Sequence, residues 1–255
     1  MGVSPTGGDG SGVTVAGNRI YISLYNGNKI VAYNFIPTSS EQLPDFAVGS
    51  PDLDTNTLDS VGFITNPVIE TDGKSLFVPS DFDGKLSVWK NLPDENGASP
   101  DFIYGLGMSP WDSELFKNKL ILAGKEKVYI WNSLPLNGEL PDIKFERNIG
   151  NVTFNEIRGV AMDDKYFYLA DANKIYVWKG IPEKNTNPKF IIDALGATRL
   201  SSDGKYLVVA ATEAPSDEMI KIYKIDELSS SSKPVLIRSK SFWFNLPQAV
   251  LAFEG

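Results

Sequence analysis

Short apolar runs separated by polar turns recur along the chain, and many of them are apolar at successive positions. In the run KVYIW, Val128 and Ile130 alternate with Tyr129 and Trp131. A strand with one face in water alternates apolar with polar side chains, so this pattern predicts strands that are buried on both faces. The runs are not separated by long amphipathic patterns of the kind that predict helices, which favours an all-β fold.

One phrase recurs in five related forms: KIVAYNFIP, KLSVWKNLP, KVYIWNSLP, KIYVWKGIP and KIYKIDEL. The copies begin at Lys29, Lys85, Lys127, Lys174 and Lys221, so that neighbouring copies start 42 to 56 residues apart. A repeat of about 45 residues is typical of β-propeller blades. The longest spacing, which is the first, indicates an insertion around residues 52–60.

Further short runs bring each repeat to about four strands. A β-rich run such as PDFAVG at Pro44 follows the phrase, and two runs across an Asp-Asp or Asp-Gly turn precede it, as in GVAMDDKYFYLAD from Gly159. Proline cannot donate to a continuing strand ladder, so we expect the third strand to end before Pro37, Pro93, Pro135 and Pro182. Stacked four-stranded blades bury both faces of each sheet, and we therefore predict an all-β propeller of five blades.

The two ends of the chain bear on how the propeller closes. The C-terminal run QAVLAFEG, from Gln248, is similar to the innermost strand of a blade, and we expect it to pair with the run from Asn18, because an unpaired apolar edge promotes aggregation. The run GVTVAG, from Gly12, is the alternative for that position, and six blades are the alternative count. Residues 1–11 are predicted to be a flexible leader, and residues 12–255 a single propeller domain.

These motifs resemble those of NHL-type repeat proteins. The resemblance rests on WNSLP at Trp131 to Pro135 and on the longer form from Asn34, NFIPTSSEQLPDFAVG, and it extends from about Gly12 to Gly255. The stretch SSDGKYLVVA at Ser201 is also similar to TolB and YVTN propeller repeats. The resemblance implies a scaffold, commonly extracytoplasmic, that binds partners or ligands. A linker-like start also fits a spacer propeller from a larger surface protein.

Composition excludes several kinds of chemistry and of partner. The 255 residues include no histidine and no cysteine, which removes His-based triads, imidazole and thiolate metal sites, and disulfides. A net charge of −8 disfavours nucleic acid and anionic membranes as partners. No apolar stretch approaches the roughly 20 residues of a membrane span, so we expect no membrane insertion. We expect a monomer that binds a protein or a small-molecule ligand.

Candidate ligand-binding residues lie where the first strand of each blade enters the central channel, by analogy with other propellers. These residues are Asn66, Trp111, Glu156, Arg158, Arg199 and Gln248. Two arginines in one channel mouth could hold a carboxylate or phosphate group through paired hydrogen bonds. The favoured alternative is that Arg158 and Arg199 form ion pairs with nearby carboxylates such as Glu156. Trp111, Phe242 and Trp243 stand outside the repeat pattern, which suggests contact with a ligand or partner.

Closely spaced acidic residues provide the main candidate metal site. Asp81 and Asp83 share the short DFDG loop, and Asp52, Asp54 and Asp59 lie in the insertion. Closely spaced carboxylates are what calcium requires, although aspartates in such hairpins more often stabilise the turn, and we favour the turn over a calcium site. Our prediction is therefore no cofactor, with calcium at Asp81 and Asp83 as the alternative.

Catalysis without histidine would depend on carboxylates near the first strands. The candidates are Glu70, Asp112, Glu114, Glu156 and Asp163, and nothing in the sequence selects a pair among them. The aromatic residues that recur in the third strand, Tyr33, Trp89, Trp131, Trp178 and Tyr223, are expected to pack in the core. We therefore predict a non-enzymatic binding module that presents loops around a central channel. The alternative is a metal-assisted or carboxylate-based hydrolase of the lactonase or glycosidase type.

Overall fold

The computed structural model describes residues 9–25, 27–39, 41–56, 68–211 and 218–238. Within these residues, twenty-two strands form five four-stranded antiparallel sheets and one two-stranded ribbon, and a single 3-10 turn spans Ile225–Glu227. The sheets are the blades of a β-propeller, so the predicted fold class and the count of five blades are confirmed. In the described part of the chain, no helix has the length and apolar character needed to cross a bilayer.

Two compact units divide the chain. The first runs to Pro110 and also takes in Ser133–Leu140. It contains the first blade, β1 Asp9–Ala16, β2 Arg19–Tyr25, β3 Lys29–Tyr33 and β4 Phe46–Val48, and the second blade, β5 Glu70–Thr71, β6 Leu76–Ser80, β7 Lys85–Trp89 and β8 Phe102–Gly105.

The second unit comprises Trp111–Asn132 and the chain from Pro141 onward. The third blade consists of β9 Pro110–Phe116, β10 Lys119–Gly124, β11 Lys127–Trp131 and β12 Ile143–Glu146. The two-stranded ribbon, β13 Asn148–Ile149 and β14 Val152–Thr153, follows it. The fourth blade consists of β15 Ile157–Met162, β16 Tyr166–Asp171, β17 Lys174–Lys179 and β18 Phe190–Asp193, and the fifth of β19 Ala197–Ser202, β20 Tyr206–Ala211, β21 Ile220–Lys224 and β22 Leu236–Arg238.

Strand β1 is the neighbour of β2 on the side away from β3, a position for which the sequence offered two candidates, the run from Gly12 and the run from Gln248. It contains the GVTVAG run and pairs with β2 from Asp9 to Ala16, so it also begins within the segment assigned to a leader. Because β2 is hydrogen-bonded to β1 on one side and to β3 on the other, the expected pairing of the C-terminal run with β2 is wrong. The run from Gln248 itself lies outside the described residues.

Apolar side chains fill the spaces between adjacent blades of each unit. All five residues of β3 and all five of β6 are buried, as the two-faced apolar pattern predicted. The recurring third-strand aromatics Tyr33, Trp89, Trp131, Trp178 and Tyr223 are all buried. Two of their indole nitrogens also bind loop carbonyls, from Trp89 to Ala98 at 3.0 Å and from Trp178 to Thr186 at 2.9 Å. The expected core role of these aromatics is confirmed.

The aspartate of the Pro-Asp phrase explains why that phrase recurs. In the first three blades its carboxylate accepts a hydrogen bond from the backbone N–H that follows the third-strand aromatic residue. The pairs are Asp45 with Asn34 at 2.7 Å, Asp101 with Lys90 at 2.8 Å, and Asp142 with Asn132 at 2.7 Å. Each carboxylate thereby fixes the chain as it leaves the third strand.

A second recurring aspartate forms the turn between the first and second strands. Asp72, Asp163 and Asp203 each accept two backbone N–H groups of their own turn, from Lys74 and Ser75, Lys165 and Tyr166, and Lys205 and Tyr206, at 2.6 to 2.9 Å. These bonds satisfy backbone N–H groups of the turn that have no hydrogen-bond partner in the neighbouring strands that the structure describes. The turn chemistry predicted from Asp-Gly and Asp-Asp is confirmed.

Replacing Asp142 by Ala is expected to lower the free energy of unfolding by about 1 kcal/mol, because the Asn132 N–H loses its charged acceptor. Asp142→Asn keeps an acceptor oxygen and should cost less than half as much. Urea unfolding followed by fluorescence measures both changes. Equal losses in the two variants would contradict the assigned hydrogen bond.

Candidate functional site

The first strands of the three blades in the second unit begin with polar and aromatic residues. Trp111 and Asp112 lie on β9, Arg158 on β15 and Arg199 on β19, and Glu156 directly precedes β15. We call these five residues the Trp111 cluster. The β15–β16 and β19–β20 registers each shift near these positions, between Ile157 and Gly159 and between Ala197 and Arg199. Such bulges redirect side chains away from the regular alternation of a strand.

Close approach of β15 and β19 brings the cluster together. A Cβ atom placed on Gly159 would lie 3.2 Å from both the Cα of Arg199 and the backbone nitrogen of Leu200. That separation is tighter than side-chain atoms normally adopt, so glycine at this position lets the two strands pack closely.

The guanidinium of Arg158 lies over the Trp111 ring and also binds Glu156. The Cζ atom of Arg158 is 4.2 Å from the centre of the Trp111 ring, and its Nη2 atom is 2.8 Å from Oε1 of Glu156. The side chains of Arg158 and Glu156 are 29% and 39% exposed. The ion pair expected between these two residues is confirmed, and both side chains remain partly exposed to solvent.

Arg199 binds main-chain carbonyls and lies beside a different carboxylate. Its Nη1 atom donates to the carbonyl oxygens of Arg158 and Thr198, each at 3.0 Å. Its Nε atom is 3.7 Å from Oδ1 of Asp112. Arg199 therefore pairs with a carboxylate, as expected, but that carboxylate is Asp112, and the bonds to Arg158 and Thr198 tie β19 to β15.

Asp112 is a buried carboxyl surrounded by donors. Its Oδ2 atom accepts the backbone N–H of Val160 at 2.9 Å, and the backbone N–H groups of Ser113 and Leu200 also point to it. Burial raises the pKa of Asp112 to about 7, while Arg199 and the three N–H donors favour the ionised form and oppose the rise. A carboxyl in this state changes protonation near neutral pH.

Asp171 positions the segment that carries Glu156. This buried residue ends β16, and its two carboxylate oxygens accept the backbone N–H groups of Asn155 at 2.8 Å and of Glu156 at 2.7 Å. Asp171 was not among the residues predicted for the site. Its place at the end of a second strand, in the run DANKIYVW, was the available signal.

The structure brings together four of the six predicted mouth residues, namely Trp111, Glu156, Arg158 and Arg199. Asn66 and Gln248 lie outside the described residues, as do Phe242 and Trp243. Among the candidate carboxylates, Glu156 and Asp163 flank opposite ends of β15, so they do not form a close catalytic pair.

Two of the candidate calcium-binding aspartates, Asp83 and Asp52, stabilise their own loops. The hydroxyl of Ser80 donates to Oδ1 of Asp83, and Lys85 Nζ lies 3.2 Å from its Oδ2. Asp52 accepts the N–H groups of Asp54 at 2.9 Å and of Thr55 at 2.6 Å. Among the described residues, no three acidic side chains lie close enough to hold a metal ion together. The prediction of no cofactor, with calcium at Asp81 and Asp83 as the alternative, stays a prediction.

Comparisons with known proteins agree on the fold. No sequence family and no curated protein matches the chain. A chain of a nidogen/laminin complex has a TM-score of 0.58 at 11% identity, over 91% of this chain and 82% of that one. The WD40 β-propeller domain of Doa1 matches with a TM-score of 0.56 at 10% identity, over 88% of this chain and 68% of that one. Glutaminyl cyclase from Myxococcus xanthus matches with a TM-score of 0.51 at 12% identity, over 81% of this chain and 87% of that one. The NHL resemblance is therefore supported as far as the propeller fold.

Proposed function

We propose that this protein is an NHL-like propeller that acts as a binding module, and that the Trp111 cluster binds an anionic group, a carboxylate or a phosphate, of a small ligand or a protein. The observation that carries this proposal is the partly exposed side chain of Arg158, whose guanidinium lies over the Trp111 ring and binds Glu156. The extracytoplasmic setting implied by the NHL resemblance is part of the same proposal.

A stacked arginine is suited to recognising an anion. Its planar fork matches carboxylate and phosphate geometry through two parallel hydrogen bonds. Holding the side chain on an aromatic ring before the ligand arrives reduces the conformational entropy lost on binding. The Nη1 atom of Arg199 donates to the main-chain carbonyl of Arg158, so the strands that carry the two arginines are tied together. The cluster therefore contains two arginines in a chain whose net charge is −8.

The second candidate function is a carboxylate-based hydrolase, and one observation favours it. Asp112 is buried beside Arg199 with its pKa raised to about 7, which is suited to general acid–base catalysis. Asp112 is only 10% exposed, however, and its oxygens already bind backbone donors. Direct contact with a substrate is therefore less favoured than a role in the charge balance of the cluster.

The test is an NMR titration with two simple anions, sulfate and acetate, followed through the indole N–H resonance of Trp111. Trp111→Phe identifies that resonance among the tryptophans. Arg158→Gln is expected to raise the Kd of both anions about tenfold, because a charge-assisted bidentate contact is lost.

A matched control is Lys144→Gln. Lys144 also stacks on an aromatic ring, with its Nζ atom 5.4 Å from the Tyr129 centre, but it lies on β12, the fourth strand of its blade. We expect this variant to bind both anions as the wild type does. Equal weakening in the two variants, or unchanged binding by Arg158→Gln, would show that the cluster is not the anion site.

A further inference from the structure

Asp112 and Arg199 form the deepest charged pair of the Trp111 cluster. Their side chains are 10% and 18% exposed, and Nε of Arg199 lies 3.7 Å from Oδ1 of Asp112. Oδ2 of the same carboxyl accepts the backbone N–H of Val160, so the carboxyl is fixed between β9 and β15. Neither partner can swing away without breaking hydrogen bonds to the main chain, since Arg199 also binds the Arg158 and Thr198 carbonyls.

The charges around Asp112 come from each strand packed against it. Among the described residues, Arg199 faces it from β19, Arg158 and Glu156 come from the start of β15, and Glu114 lies two positions further along β9. Asp112 pairs with Arg199 and Glu156 with Arg158, so each arginine already has one carboxylate partner when every group is ionised. An anion that enters beside the arginines adds a further negative charge to this set.

We propose that binding of an anion at the Trp111 cluster is coupled to the uptake of one proton by Asp112, so that the site takes an anion and a proton together. The inference rests on the proposed function. An anion held by the Trp111 cluster disfavours a negative charge on the neighbouring carboxyl of Asp112, and protonation of Asp112 removes that charge while its backbone contacts stay in place. By reciprocity, a proton on Asp112 strengthens anion binding by the same factor.

Two further observations support the coupling. The carboxyl of Asp112 has a pKa raised by burial to about 7, so a modest further rise adds a proton near neutral pH. The chain contains neither histidine nor cysteine, the side chains that ordinarily titrate in that range. The α-amino group titrates there too, and it is common to every variant in the test.

The experiment measures the Kd of sulfate by NMR at about pH 6 and at about pH 8.5, at constant ionic strength. Sulfate is the probe because its own charge is constant over this interval. In the wild type we expect the Kd to be about five- to tenfold lower at the acidic pH, the result of a rise of about one unit in the carboxyl pKa on binding. Asp112→Asn should abolish this difference.

The matched control is Asp164→Asn. This exposed carboxyl follows the other end of β15 and pairs with Lys117, so the variant should keep the wild-type pH dependence. A second measurement does not depend on how Asp112→Asn folds. The side-chain carboxyl resonance of Asp112 in the wild type, titrated with and without sulfate, should give a higher pKa when sulfate is bound.

The outcomes separate the two proposals. Sulfate binding with the same Kd at both pH values, or with an Asp112 titration that sulfate does not move, overturns proton coupling and leaves the binding site intact. Absence of sulfate binding at both pH values overturns the proposed function and the coupling with it.

Discussion

Replacing Asp163 by Ala is expected to lower the free energy of unfolding by about 3 to 5 kcal/mol, because four donors, including the buried Tyr168 hydroxyl, lose their acceptor. Oδ2 of Asp163 accepts the hydroxyl of Tyr168 at 2.7 Å and that of Ser202, in the next blade, at 2.8 Å. Its Oδ1 atom accepts the turn N–H groups of Lys165 and Tyr166. Burial, followed by the bond to Asp163, raises the pKa of Tyr168, so this hydroxyl stays a neutral donor.

The matched control is Asp203→Ala, which removes the corresponding aspartate of the fifth blade. Asp203 accepts only the two turn N–H groups of Lys205 and Tyr206 among the hydrogen bonds of the described residues. We expect a loss of about 1 kcal/mol for this variant. Urea unfolding of the two proteins measures the contrast. Similar losses would mean that the contacts of Asp163 with Tyr168 and Ser202 contribute little.

Gly150→Ala is the second substitution with a large expected effect, a loss of roughly 2 to 5 kcal/mol. Gly150 joins β13 to β14 with φ of +56°, where an L side chain is strained. A Cβ atom there would lie 2.5 Å from the carbonyl oxygen of Thr186. That contact cannot be relieved easily, because the Gly150 N–H donates to the Lys184 carbonyl and the Asn151 N–H to the Asn187 side chain.

Gly180→Ala separates the strain of the backbone from the steric clash. Gly180 has a similar φ of +67°, and a Cβ atom there would meet nothing within 4 Å. This variant should lose about 1 to 2 kcal/mol, the cost of a left-handed conformation alone. The midpoint of thermal unfolding compares the two proteins. A loss in Gly150→Ala no larger than in Gly180→Ala would argue against close packing of the β13–β14 ribbon on the loop after β17.

The blades could be predicted from the sequence because their signals are local and repeated. Trp178 packs in the core while its indole binds the Thr186 carbonyl, and Asp142 binds the Asn132 N–H, so each repeat carries its own packing and turn residues. The β13–β14 ribbon could not be predicted in this way. It occurs once, and its strands are only two residues long, too short to show any periodicity.

The candidate site was predicted in part, for a related reason. Trp111, Glu156, Arg158 and Arg199 occupy similar positions near the starts of first strands, so the repeat, together with the analogy to other propellers, indicated that they would meet. The pairing of Arg199 with Asp112 joins separate blades, and no spacing within one repeat specifies it. Asp171 was missed because its carboxylate binds the backbone N–H of Glu156. A contact with the backbone does not depend on a partner side chain, so the sequence contains no complementary residue that would indicate it.

The hydrogen bonds of Asp112 also bear on the order in which the second unit folds. The carboxyl on β9 receives the N–H of Val160 on β15, 48 residues away in sequence, and a further N–H from Leu200 on β19. Contacts between such distant segments carry a large loop-closure entropy and form slowly. The hairpins of each blade can form early from nearby residues, whereas the Trp111 cluster is assembled only when three blades have docked. Its geometry is therefore a late product of folding, and it is lost when any one of those blades detaches.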